Sequence, residues 1–208
     1  MTDAHPDKDW LARIEIVGNH PAVDFVNTVH SRVEEPARDY LATPAHLIDW
    51  FRHMNLAGKT DARALYGLPP ARGERLLRDA RDLRETLYAV FSGYVDGRSA
   101  TAALNNLNRE LETQGRWRSL TPISDGFEWR YRIEPAHPDS LFAPLVFAAA
   151  ELLRSPDLTR LKACPPPDGC GWLFIDRSRN ASRTWCNMRT CGNAAKQRRL
   201  RARESRRS

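Results

Sequence analysis

Cys164, Cys170, Cys186 and Cys191 are the chain's four cysteines, spaced Cys-x5-Cys-x15-Cys-x4-Cys. Two close pairs separated by a hairpin-sized gap are how a chain presents four thiolates to one tetrahedral zinc ion. Each pair sits on a tight turn, so its two sulfurs converge. Four thiolates saturate the metal, so the zinc is structural and a reactive water has no place on it. Gly169 and Gly171 supply the backbone angles of the first turn and let amides approach the sulfurs.

A second chemistry follows the last cysteine. Residues 194–208 hold seven basic side chains and one acid, and the remainder balances at 25 against 25, although the whole chain carries +6. A neutral body with one cationic end calls for a polyanion at that end alone. Lys196, Arg199, Arg203 and Arg206 line one side of an expected helix from Asn193, and Arg198 and Arg201 widen the strip. The other reading of this stretch is a disordered basic tail. Upstream, Arg177, Arg179 and Arg183 with Asn180 occupy the expected tip between the cysteine pairs, with donors suited to phosphate; otherwise the tip is a solvated turn. Arg189, between the last two cysteines, joins the nucleic-acid candidates.

The elements that position these groups read as follows. Arg13–Val17 reads as a short strand. Asn19 reads as the cap of a helix with Pro21 in its first turn. That helix carries Phe25, Val26, Val29 and Val33 on an apolar face and Asp24, Asn27, Thr28 and Ser31 as a polar stripe. The stripe is a solvated face or, through Asp24, Asn27 and Thr28, the lining of a small-molecule pocket. Thr43-Pro44 opens a second helix, ending near 56–58, and Thr60 or Asp61 caps a third ending at Gly67. Pro69-Pro70 starts the longest, to about Val95, with Leu76, Ala80, Leu83, Leu87, Val90 and Phe91 at helical spacing. On its polar side Arg75/Asp79, Arg78/Asp82 and Arg81/Glu85 are i, i+4 pairs. A further helix with Leu104 and Leu107 ends at Gly115.

The period then changes to two. Phe127, Trp129, Tyr131 and Ile133 alternate with charged residues, and 116–123 pairs with them through Ser124-Asp125-Gly126. Their aromatic face reads as core rather than as a base-stacking platform. Pro138 starts the most apolar helix, which Ser155-Pro156 ends. Past the first cysteine pair, residues 172–176 read as one strand and 184–186 as its return, with Trp172, Phe174 and Trp185 as a small core.

At 41% apolar residues the larger part buries an ordinary core. No apolar run reaches a membrane span and the first 20 residues have no signal-peptide core, so the expectation is a soluble, cytoplasmic protein. The fold expected is α+β, mostly α: a helical N-terminal domain over 1–160 with one antiparallel hairpin. A small zinc-ribbon or treble-clef-like module over 161–208 follows, ending in a basic helix. Neither a nucleophile with its base nor a Gly-rich phosphate loop stands out, so an enzyme is not expected. The charge suits structured RNA as well as duplex DNA.

Asp176-x-Ser178-x-Asn180, then Arg183-x-Trp185-Cys186-x-Met188-x-x-Cys191-Gly192-Asn193-x-x-Lys196, resembles the CGNR zinc-finger family of bacteria. Residues 10–155, with Asp24-Phe-Val-Asn-Thr28, resemble the helical domain that accompanies this finger in stress-induced transcription regulators. The resemblance implies a zinc-dependent DNA-binding regulator, nucleoid-associated when bound, whose helical domain senses a small-molecule effector or forms a homodimer. An RNA-binding or protein-interaction module is the alternative. Ala194 stands where the family name has arginine, so a contact made by that arginine is missing unless Lys196 or Arg198 replaces it.

Overall fold

The structure is a computed structural model that describes residues 10–11, 14–34 and 38–205. The Arg203 side chain lies outside the described part, as do Arg206, Arg207 and Arg13. Among the described residues, seven α-helices and two small sheets run in the order α1 (Pro21–Val26), α2 (Pro44–His53), α3 (Lys59–Tyr66), α4 (Pro70–Val95), α5 (Thr101–Gln114), β1 (Arg118–Ile123), β2 (Gly126–Tyr131), α6 (Ala143–Arg154), β3 (Leu161–Ala163), β4 (Leu173–Ile175) and α7 (Asn193–Glu204). No helix among the described residues is long and apolar enough to cross a membrane.

Helix α4 is the axis of the core. Pro70 opens it, where the missing N–H costs nothing. Leu76, Leu77, Ala80, Leu83, Leu87, Val90 and Phe91 are buried along one side. Gly73 lets α2 approach, because a Cβ there would stand 3.3 Å from Pro44. Helix α6 is buried over most of its surface, from Ala143 to Leu152, and α1 from Ala22 to Val26. Phe25, Trp50 and Phe51 pack with ring centroids 5.0 to 6.1 Å apart.

Several expectations are corrected. Helix α1 stops at Val26 instead of reaching Val33. The Thr28 hydroxyl donates to the Phe25 carbonyl at 2.7 Å, giving the backbone an alternative to another helical turn. The cap of α1 is His20, whose Nδ1 accepts from the Ala22 amide at 3.2 Å. Burial, with Arg177 nearby, pushes the imidazole down to about 4, so it is neutral and able to accept. Asn19 has φ +61° and donates to the Ile175 carbonyl at 2.9 Å. Residues 14–17 form no strand. Gly58, not Thr60 or Asp61, caps α3, and the Asp61 carboxylate accepts from its amide at 3.1 Å.

The hairpin β1–β2 has the expected register, with Leu120 opposite Trp129 and Pro122 opposite Phe127. Its aromatic face is not core. Tyr131 stacks on Phe147 of α6 at 6.2 Å, but Phe127 is 71% and Trp129 44% exposed. The hairpin projects past the helix it rests on.

Candidate metal centre and basic helix

Strand β4 joins the two parts of the molecule. It pairs with β3, Leu161 opposite Ile175 and Ala163 opposite Leu173. The expected return strand at 184–186 does not form. Alternation along residues 172–175 sends Leu173 and Ile175 into the helical core and Trp172 and Phe174 into a second cluster with the cysteines.

The loop after α1 clamps this segment. Asn27, fully buried, donates through Nδ2 to the Leu173 carbonyl at 2.8 Å and accepts from the Leu173 amide at 3.0 Å. The Trp172 indole donates to the Val29 carbonyl at 2.8 Å, and the Arg32 amide to the Cys170 carbonyl at 2.7 Å. On the other side the Ile175 amide donates to Gly18 at 2.9 Å.

The polar stripe of the sequence is therefore internal. Asp24, Asn27, Thr28 and Ser31 are all buried. Asp24 accepts from the Gly18 amide at 2.7 Å, Asn27 holds β4, and Thr28 lies 3.3 Å from the Arg84 guanidinium. They do not form a solvated face, and Ser31 borders a cavity beside the finger.

The first cysteine pair closes a loop in which the Cys164 amide donates to Trp172 at 2.8 Å and the Gly171 amide to Cys164 at 3.1 Å. Gly171 has φ +74°. A Cβ on Gly169 would stand 2.5 Å from the Cys164 sulfur. The second pair brackets a π-helical turn, Met188–Gly192, capped by Asn187, whose Oδ1 accepts from the Arg189 amide at 2.8 Å. That turn runs straight into α7.

The four Sγ atoms lie within 4.8 Å of one another. Cys170 and Cys186 are 3.5 Å apart, and Cys186 and Cys191 3.7 Å. Four bonds of about 2.3 Å to a tetrahedral zinc place sulfurs about 3.8 Å apart, whereas a disulfide needs about 2.05 Å. All four are free cysteines. Hydrogen bonds from the Cys170, Cys186 and Cys191 thiols pull Cys164 far below the ordinary thiol value. The same bonds to Cys164 push Cys170 and Cys186 far up. Cys191 is also lowered, to about 7, so some thiolates form at their neighbours' expense, and a dication is what lets all four ionise together. The donor set fits one structural Zn2+, which ties the two turns together.

The segment between the pairs is folded around Asp176 rather than presented as an arginine tip. Asp176 is buried and accepts from the Lys162 ammonium at 2.7 Å, the Ser178 amide and hydroxyl at 2.9 and 2.6 Å, and the Arg183 amide at 2.8 Å. Burial opposes its charge, yet these donors hold the carboxyl well below the usual range. Arg183 turns back onto the chain. Its guanidinium donates to the carbonyls of Trp185 (2.9 Å) and Cys186 and lies 4.5 Å from the Phe174 ring centroid. Arg177 pairs with Asp157 at 2.7 Å. Arg179 and Asn180 are exposed.

On α7, Ala195 is buried against the finger, and Lys196, Arg198, Arg199 and Arg201 are exposed. Arg198 reaches Asp168 of the first cysteine loop at 3.0 Å and Arg199 reaches it at 3.8 Å. Arg189 is exposed on the π turn. The helix is thus anchored at Cys191, by Ala195 and by Asp168. A cavity of about 440 Å³ lies between finger and helical unit, where Ala194 and Arg198 face His30, Tyr40, Glu15 and Glu34.

Sequence reasoning missed one internal network. Arg84 is 4% exposed and pairs with Asp39 through two bonds of 2.8 Å. Arg81 also turns to Asp39, at 3.1 Å, and Glu85 takes Arg32 at 2.6 Å. The partners come from a loop some 45 residues away, so helical spacing along α4 could not reveal them.

Two family models match the chain. One, ABATE, described as a putative stress-induced transcription regulator, covers residues 19–156, and the other, the CGNR zinc finger, covers 160–204. Neither describes an enzyme. No curated protein matches. With most of its length inside the first model and its cysteine cluster inside the second, the chain belongs to the family of putative stress-induced transcription regulators that carry a CGNR zinc finger.

Proposed function

We propose that the protein is a DNA-binding transcription regulator whose zinc finger presents α7 to duplex DNA. The observation that carries this reading is the helix itself: cationic, exposed, and fixed to the zinc site through Cys191. Lys196 and Arg201, with Arg189, Arg179 and Asn180, form the contact set. Arg198 and Arg199 exchange Asp168 for phosphate when the helix docks. Ala194 stands where the family name has arginine, and Arg198, one helical turn further on, or Lys196 supplies the cation there. Arg177, paired with Asp157, and Arg183, turned onto the carbonyls of its own loop, are removed from the contact set. Arg203 remains in it by its helical spacing alone.

The helical unit supplies an effector site and pairs two copies of the chain. The effector site is the cavity against α7, because a small molecule there touches both parts and alters the seat of the helix. The regulator works in the cytoplasm, on the nucleoid when bound.

The test is duplex affinity against salt for the native chain and for a triple variant, Arg189→Ala, Lys196→Ala, Arg201→Ala. Each phosphate contact contributes about 0.9 to the log–log slope. The variant's slope is expected to flatten by about 2 to 3 while zinc content is unchanged. An unchanged slope rules α7 out, and tighter binding to hairpin RNA at matched salt favours an RNA role.

A further inference from the structure

Hairpin β1–β2 is a two-stranded sheet with both outer edges open. Leu120, Ile123, Phe127 and Trp129 are 57%, 45%, 71% and 44% exposed. A lone hairpin is marginal in water, and an open edge is a template for another strand. The two edges are not equivalent. Ile123 and Gly126 close the turn as partners, so the pairs Ile123/Gly126, Thr121/Glu128 and Ser119/Arg130 exchange the ladder bonds. Pro122 therefore lies at a position whose nitrogen faces away from β2. Its missing N–H blocks the outer edge of β1. On β2 the groups that face outward are the N–H and C=O of Phe127, Trp129 and Tyr131, and proline is absent there.

We infer that two copies of this chain join through β2, antiparallel about a two-fold axis at Trp129, to make one four-stranded sheet. This register sets Trp129 opposite the partner's Trp129 and Phe127 opposite the partner's Tyr131. Those are the residues whose backbone groups point outward, so the register that satisfies the symmetry also satisfies the hydrogen bonds. The side chains agree. On one face Glu128 lies opposite the partner's Arg130, and Arg130 opposite the partner's Glu128. In the single chain Arg130 donates to Glu128 at 2.8 Å, an ion pair at the surface. On the other face the aromatics form one ladder, and the partner's Phe127 comes beside Tyr131 and the Phe147 on which it stacks. A one-residue slip would break both matches. The second copy is thus the occupant that the charges fit, because the edge is complementary to itself. The inference gives a site to the pairing role of the helical unit and is independent of DNA binding.

The experiment is light-scattering mass over a concentration series, on the zinc-loaded full chain. The native protein is expected at twice 23.7 kDa. Glu128→Arg and, separately, Arg130→Glu each place like charges opposite one another and raise the dimer dissociation constant about tenfold or more. The double exchange, Glu128→Arg with Arg130→Glu, restores opposite charges and returns the dimer. A native chain that stays at 23.7 kDa, single variants that dimerise like the native chain, or a double variant that stays monomeric would each overturn the inference. None of these outcomes bears on the salt-slope test of α7.

Discussion

Asp24 is 2% exposed, and burial pushes its pKa up to about 6, against the amides of Gly18, His20 and Val17 that favour the anion. A carboxyl whose folded pKa lies above its unfolded value near 4 binds its proton more tightly when folded. Its contribution is therefore fully present below about pH 4 and lost as pH rises to about 6, by about 3 kcal/mol. Asp24→Asn does not titrate. The stability of the native chain relative to this variant is expected to fall by roughly that amount between pH 4 and pH 7, read from urea midpoints. A flat difference would refute the burial account of Asp24. The difference is the useful quantity, because Asp176 works the other way. Its carboxyl is held below the usual range, so its contribution is lost as pH falls. At this scale the cysteines were legible because four thiolates on two turns have few other uses. The role of Arg183 was not, because an arginine in a polar loop looks the same whether it points to solvent or under the chain.

Strand β4 is three residues long and holds the molecule together because Asn27 grips both polar groups of Leu173. Leaving that buried amide and carbonyl unpaired costs about 1–3 kcal/mol each. Asn27→Ala is expected to lose about 3 kcal/mol in urea unfolding and to release zinc faster to a chelator, since β4 begins at Leu173, just after Cys170 and Gly171-Trp172. Unchanged release with lost stability would separate the clamp from the metal site. The elements α2, α4 and the hairpin were readable because proline starts and apolar or alternating periods agree there, although α2 ends at His53 and α6 begins at Ala143, after a 3-10 segment from Pro138 to Phe142. Helix α1 was overextended, since its stripe has helical spacing although the chain turns after Val26 to reach β4.

The chain divides at about 160 by sequence, but its packing does not. Leu161, Leu173 and Ile175 belong to the core of the helical unit, while Trp172 and Phe174 belong to the cluster around the cysteines. Zinc therefore supports the whole molecule, where comparable isolated fingers draw on the order of 10–16 kcal/mol from the metal. Removing zinc with a chelator is expected to lower one common calorimetric transition. Two separate transitions, with the upper one unmoved, would show that the helical unit stands without the finger.

The sequence by itself determined the metal, the charge asymmetry and most helices, because each is written in residues near one another in the chain. Tertiary structure alone decided which polar residues face inward. Asn27 meets Leu173, Arg84 meets Asp39 and Arg183 lies under Val17 across separations that local patterns do not encode. It also decided that the aromatic face of the hairpin meets α6 at Tyr131 and leaves Phe127 and Trp129 exposed. Alternation fixes which residues share a face, but only the path of the rest of the chain determines what covers it.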